Sequence, residues 1–250
     1  MPQENAPSST SPPIPASQAT APPAPEIRIH TASTLLARPS LANRIIALIN
    51  KGYLDTSAYP SSTDASQRFR DGAHLHSALG DNGLVAVAYH VSSQSEIESK
   101  TPYDEESGEP VACACASQWT GDLGGENSGK EDGGYEIKAV TSAPAHRKAG
   151  LVNACLGALI EELVGREKRR RIEEEHVGGG VRGRGSLKVW VHAVEEYNGP
   201  YWRRKGWSDV RAYELPAGHM ISPNSVTGFR LLVLLKEVEV GEWREGEVGR

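Results

Sequence analysis

GYEIKAVTSAPAHRKAGLVNACLGALIEELVG, residues 134–165, is the stretch whose reading decides the fold. Tyr135 to Ser142 reads as a strand, and Pro144 interrupts it before the turn RKAGLV, residues 147–152. The apolar residues Val152, Leu156, Leu159 and Leu163 then recur at i, i+4, i+7 and i+11, one face of a 3.6-residue period. A strand, a basic turn with a glycine and a buried helix together suit a phosphate group. The first turn of a helix leaves its N–H groups unpaired, and the macrodipole adds partial positive charge at that end. Arg147 and Lys148 bring two formal charges to the same place, and Gly150 permits close approach to the backbone. A turn that binds nothing fits the same spacing.

The stretch resembles motif A of the GNAT superfamily of acyl-CoA-dependent N-acetyltransferases, whose hallmark is Arg/Gln-x-x-Gly-x-Gly/Ala at the start of a helix after the fourth strand. Here it reads Arg147-Lys148-Ala149-Gly150-Leu151-Val152, with Val152 where the family usually has Gly or Ala. Pro144 lies three residues before Arg147, and Glu136 lies eleven before it, where many members carry a strand-borne carboxylate. Further on, EEYNGPYWRRKGW, residues 195–207, resembles the family's motif B, an Asn-containing turn and short helix ending in aromatic-x-x-x-Gly-aromatic. The family's usual tyrosine position is Trp202, with Tyr201 beside it, and Asn198 stands closer to Gly206 than the usual asparagine.

The rest of the chain bounds these readings. The 250 residues hold 38% hydrophobic residues, enough for a core, and mean hydropathy is −0.45. A net charge of −5 argues against a general nucleic-acid binder, and no apolar run reaches the roughly 20 residues of a membrane span. Three cysteines cannot all pair, and none has zinc-ligand spacing, so no metal is expected. Residues 1–26 are Pro, Ser, Ala and Thr with one apolar aliphatic, Ile14, and read as a disordered tail. That segment carries no secretory pattern and no arginine, which points to the cytoplasm with the nucleus open.

Residues 27–240 read as one domain and 241–250 as a flexible end. Ile27–His30 suits a first strand. Ser40 is placed as the cap of a helix with Leu41, Ile45, Leu48 and Ile49 on one face, ended by Gly52. Asp71 caps a short helix stopped by Gly80. Leu84–Val91 is a strand covered on both faces, and Val111–Ser117 is the next, with alanines 112, 114 and 116 on one face and Cys113 and Cys115 on the other. Residues 92–110 and 120–133 read as exposed loops, the second overhanging the site. Leu187–Val194 is a strand with Trp190 and His192 on one face, and 210–215 and 229–238 are a closing pair. The basic run 168–171 is read as a solvated helix end, with a nucleic-acid or nuclear-import patch as the other reading.

The resemblance implies a mixed, mostly antiparallel central α/β sheet flanked by helices and splayed between strands 4 and 5. It implies acetyl-CoA as co-substrate, its pantetheine on backbone groups of Val140, Thr141 and Ser142 and its pyrophosphate on Arg147, Lys148, Ala149, Gly150, Leu151 and Val152, with Asn198 a further contact. The reaction would be direct attack of a primary amine, free or on a lysine side chain, on the thioester. Glu136 is the first candidate for the base, His192 the second, and Tyr201 the candidate acid for the leaving thiolate. Each also has a plain reading: a surface carboxylate, a satisfied core histidine, a packing aromatic. A non-catalytic acyl-CoA-binding module is the alternative; a P-loop nucleotide binder lacks its Gly-Lys-Ser/Thr. The acidic stretches 96–109 and 126–132 suit a cationic acceptor or are simply solvated.

Overall fold

The structure is a computed structural model, and it describes residues 25–54, 67–90, 108–121, 132–178, 185–219 and 227–241. Residues 1–24 and 242–250 of the expected tails, loop residues 92–107 and 122–131 and residues 179–184 of the glycine stretch lie outside the described residues; Glu26 and Glu109–Pro110, read as tail and loop, are already strand. The elements run β1 (Glu26–Thr31), α1 (Ala32–Leu36), α2 (Pro39–Leu54), α3 (Gly72–Leu79), β2 (Leu84–His90), β3 (Glu109–Gln118) and β4 (Tyr135–Ser142). A 3₁₀ turn, Pro144–His146, leads to α4 (Leu151–Gly178), β5 (Gly185–Val194), α5 (Glu195–Arg204), β6 (Ser208–Leu215) and β7 (Phe229–Val240). One seven-stranded sheet has the order β1-β2-β3-β4-β5-β7-β6. Among its pairs only β4–β5 is parallel. This is the mixed, helix-flanked α/β sheet that the motif resemblance implies.

Two layers of helix cover the sheet. On one face α4 lies over Ala86, Ala88, Ala112, Ala114 and Ala116, whose methyl groups let Leu156, Leu159 and Leu163 come close. Leu159 and Leu163 are fully buried, worth roughly 1.5–3 kcal/mol each. The opposite face of β2 and β3 carries Val85, Val87, Tyr89, Cys113 and Cys115 beneath α1, α2 and α3. Burial on both faces explains the unbroken apolar run of β2. Asp71 caps α3 as expected, its Oδ1 accepting from His74 N at 2.8 Å.

The helix at 40 differs from its sequence reading. Pro39 opens it, so Ser40 lies inside, and the chain runs through Gly52 to Leu54. Gly52 is needed there for space, because a Cβ on it would lie 1.8 Å from Thr141 Oγ1. Helix α1 has no long periodic pattern to reveal it, being five residues capped by Thr31, whose Oγ1 accepts from Thr34 N at 3.0 Å. Helix α4 also continues through the basic run. Arg170 and Arg171 pair with Glu167, Arg166 and Arg169 with Glu162, and Arg170 also with Glu174. Alternating acidic and basic residues at helical spacing hold the last turns together.

Gly134 fixes where β4 meets β5. Its φ is +96°, and a Cβ there would lie 2.1 Å from the Lys188 carbonyl oxygen. Gly134→Ala is therefore expected to cost more than about 2 kcal/mol in a denaturant titration, adding a backbone clash to an unfavourable φ. Gly150→Ala, where nothing lies within 4 Å of the added methyl, should cost only about 1 kcal/mol.

Candidate active site

Strands β4 and β5 pair only at Tyr135–Val189, Glu136–Trp190 and Ile137–Val191. Both continue beyond that point, to Ser142 and Val194, without pairing with each other. The gap is produced locally. β4 stays on β3, but Cys113 faces Thr141 while Cys115 faces Lys138, so β4 carries one extra residue there. Ala139 takes φ +46°, and this bulge turns the strand. Beyond Ile137, the edge of β4 facing β5 has no ladder partner. Val140 and Ser142, two of the three residues expected to bind pantetheine, lie half-buried along it. The third, Thr141, has its side chain packed beneath α2.

The chain then turns at Pro144–His146 and enters α4. Arg147, Lys148, Ala149 and Gly150 are exposed; Lys148 has φ +63° and Gly150 φ +80°. Arg147 is extended and Lys148 and Gly150 are left-handed, so the chain enters α4 through an irregular turn, and the helix's first N–H groups point into it without helical partners. Arg147 N–H meets Pro144 O at 3.3 Å, and among the described residues the next N–H along the turn to meet a backbone carbonyl is that of Ala154, 3.1 Å from Gly150 O. Leu151 is buried, and Val152, at the position the motif usually gives to a small residue, packs half-buried against the α4 core.

Glu136 and His192 come together on the sheet face away from α4. His192 Nδ1 is 2.8 Å from Glu136 Oε1, and Lys138 Nζ is 3.0 Å from Glu136 Oε2. Burial pushes the Glu136 carboxyl up, but the His192 hydrogen bond and the Lys138 charge outweigh it, and the net shift is downward. An ionised carboxylate only accepts, so we assign the Nδ1 proton to His192, which leaves the lone pair on Nε2. Nε2 is buried and has no hydrogen-bond partner among the described residues. Trp119 covers the pair, stacked on His192 at 5.5 Å between centroids and on Trp190 at 4.7 Å. Trp190 Nε1 donates to Gly133 O at 2.8 Å, which ties this wall to the start of β4.

Tyr201 stands on α5 beside the first turn of α4, its hydroxyl donating to Asn153 Oδ1 at 2.9 Å. Burial pushes its phenol up, so it stays protonated at neutral pH. Trp202, at the usual tyrosine position, is core instead, edge-on to Trp207 at 5.0 Å. Asn198 lies exposed within α5 rather than in a turn, and among the described residues no hydrogen bond links it to the α4 turn. Sequence reading missed Asn153, Lys138 and Trp119. Asn153 sits one residue past the motif, Lys138 shares a strand face with Glu136 at i+2, and Trp119 is an aromatic at the end of a core strand.

The three cysteines are fully buried. A hydrogen bond from Cys115 and burial hold the Cys113 thiol well above its ordinary value, and burial pushes Cys155 up to about 11. None is placed to form an acyl-enzyme. Among the described residues no cluster of side chains suits a metal ion, and no helix is long and apolar enough to cross a membrane.

No family model matches the sequence, nor does any curated protein. Solved structures similar to this fold include a GNAT-family acetyltransferase from Streptococcus pneumoniae, 13% identical with a TM-score of 0.47. Another is the ribosomal-protein-alanine N-acetyltransferase from Brucella melitensis, 17% identical and also at 0.47. A third is NAA60 of Arabidopsis thaliana in complex with acetyl-CoA, 13% identical at 0.45. Each match covers 85% of this chain and 99% of the other. With TM-scores below 0.5 these likenesses carry no chemistry to this chain.

The depressed pKa of Glu136 sets a stability test. Its contribution is full above the unfolded carboxylate value of about 4.3 and is lost as pH falls through the lower folded value. The melting-temperature gap between wild type and Glu136→Gln should therefore be widest near neutrality and close on acidification. A gap independent of pH would mean that the carboxylate is not held ionised by its neighbours.

Proposed function

We propose that the chain is an N-acetyltransferase that moves an acetyl group from acetyl-CoA to a primary amine, free or on a lysine side chain, by direct attack. The observation that carries this reading is the open β4–β5 gap with the Glu136–His192 pair at its closed end. Pantetheine lies along the unpaired edge of Val140 and Ser142, an edge strand ready to receive amide hydrogen bonds. The pyrophosphate rests on the N–H groups from Lys148 to Val152, with Arg147 and Lys148 adding charge.

A protonated amine cannot attack, so its proton goes first. Both Glu136 oxygens already hold a cationic or N–H partner, and its net shift is downward, which makes it a weak base. The proton is therefore accepted by His192 Nε2, directly or through one water, while Glu136 holds the ring and stabilises the imidazolium. The freed amine attacks the thioester carbonyl; the tetrahedral intermediate gives its surplus N–H proton to solvent and expels CoA thiolate. Tyr201, protonated and beside the α4 turn, gives that thiolate its proton and regains one from solvent. Orientation within the gap supplies much of the rate.

Kinetics on an amine panel with thiol-release detection test these roles. His192→Gln is expected to lower kcat by roughly 10²–10⁴ with acetyl-CoA affinity unchanged, the loss shrinking as pH rises and more amine arrives neutral. Full loss in Glu136→Gln beside near-normal His192→Gln would return the base role to the carboxylate. Binding is tested separately at Gly150. Asn tolerates the left-handed conformation, so Gly150→Asn controls for the side chain and Gly150→Asp isolates its charge. Calorimetry should show acetyl-CoA at least about tenfold weaker with Asp than with Asn, a difference of about 1.4 kcal/mol.

A further inference from the structure

One buried polar atom beside the site has no account in the roles above. Ser117, on β3, is 4% exposed, and its Oγ has no hydrogen-bond partner among the described residues. The strand otherwise fills its interior with Ala112, Cys113, Ala114, Cys115 and Ala116, none of which needs a hydrogen bond. A hydroxyl in that series is costly to leave unbonded, and alanine is the residue the strand uses elsewhere.

Its position supplies the reason. Ser117 is the register partner of Glu136, so the two side chains leave the same face of the sheet with Cβ atoms about 4.5–5.5 Å apart. They share no direct hydrogen bond. Glu136 Oε1 accepts from His192, and Oε2 faces Lys138. Each carboxylate oxygen has two lone-pair directions, so acceptor capacity remains on both. A buried hydroxyl facing a carboxylate across more than one hydrogen-bond length is a polar setting that one ordered water satisfies.

We propose that Ser117 anchors a buried water against the Glu136 carboxylate and is thereby a positioning residue for the Glu136–His192 pair. The hydroxyl donates to the water, and the water donates to a carboxylate oxygen. This bond fixes the plane of the carboxylate, the carboxylate fixes the His192 ring through Nδ1, and Nε2 keeps its aim. The positioning role rests on the acetyltransferase reading; the water site does not.

The test is an atomic-resolution crystal structure of the full chain and of Ser117→Ala, with kinetics on Ser117→Ala and Ser117→Thr. Wild type should show a water within hydrogen-bond distance of both Ser117 Oγ and the Glu136 carboxylate, lost in Ser117→Ala. With a primary amine, Ser117→Ala should lower kcat about fivefold, the effect of one ordinary hydrogen bond, with the KM for acetyl-CoA unchanged. Ser117→Thr should restore both water and rate. Ser117 Oγ bonded to a protein group with no water beside it overturns the proposal, as does full kcat in Ser117→Ala. If the water is in place but wild type acetylates no amine, the acetyltransferase reading falls and the positioning role with it, while the water site stands.

Discussion

A parallel strand pair that ends after three residues is the constraint on which the site depends. β4 and β5 start side by side because Gly134 has no Cβ to strike the Lys188 carbonyl. They part after Ile137 and Val191 because β4 takes one extra residue against β3 at Ala139. Strand edges without ladder partners are costly when buried. A gap between two central strands persists only where the rest of the sheet over-determines it. Here β3 holds β4 from one side, and β7 holds β5 along all ten of its residues from the other.

The same geometry brings the two halves of the site together. The bulge turns the far part of β4 toward the 3₁₀ turn at Pro144, and the exposed turn of residues 147–150 follows at once. On the other face, Glu136 belongs to the last stretch where β4 still touches β5. It can reach His192, two residues along from its partner Trp190. The closed end of the gap and the exposed turn are thus joined by one short run of β4.

The sequence made the fold legible wherever a pattern was long or had a mechanism. β4 was read to its residue bounds, the start of α4 followed from its 3.6-residue period, and the alanine face of β3 lies under α4 as its spacing suggested. Short or non-periodic features were not legible. Helix α1 is too brief for a period, and Gly52, read as a helix stop, lies inside α2 and is a glycine because Thr141 fills the space a Cβ would need. Within the site, Glu136 and His192 were legible as residues but not as a pair, since their contact spans 56 positions and depends on which strands are neighbours. The stacking of Trp119 on His192 was hidden for the same reason, whereas Lys138, at i+2 of Glu136 on one strand, lay within reach of the strand period. Asn198 shows the converse: its motif named it, yet it lies exposed on α5 while Asn153 meets Tyr201.

Glu136 is the hub that joins the two strands at this point, and Lys138 balances its charge. The imidazole of His192 is held from two sides: Glu136 bonds Nδ1 at 2.8 Å, and the Trp119 ring lies nearly parallel to it. Lys138 takes the other carboxylate oxygen at 3.0 Å, so the plane of the carboxyl is set by both neighbours at once. Lys138 comes from the same strand as Glu136, whereas His192 comes from β5, so the cluster is complete only where β4 and β5 lie side by side. The short stretch of parallel pairing therefore does two jobs: it closes one end of the gap, and it fixes the ring that stands beside it.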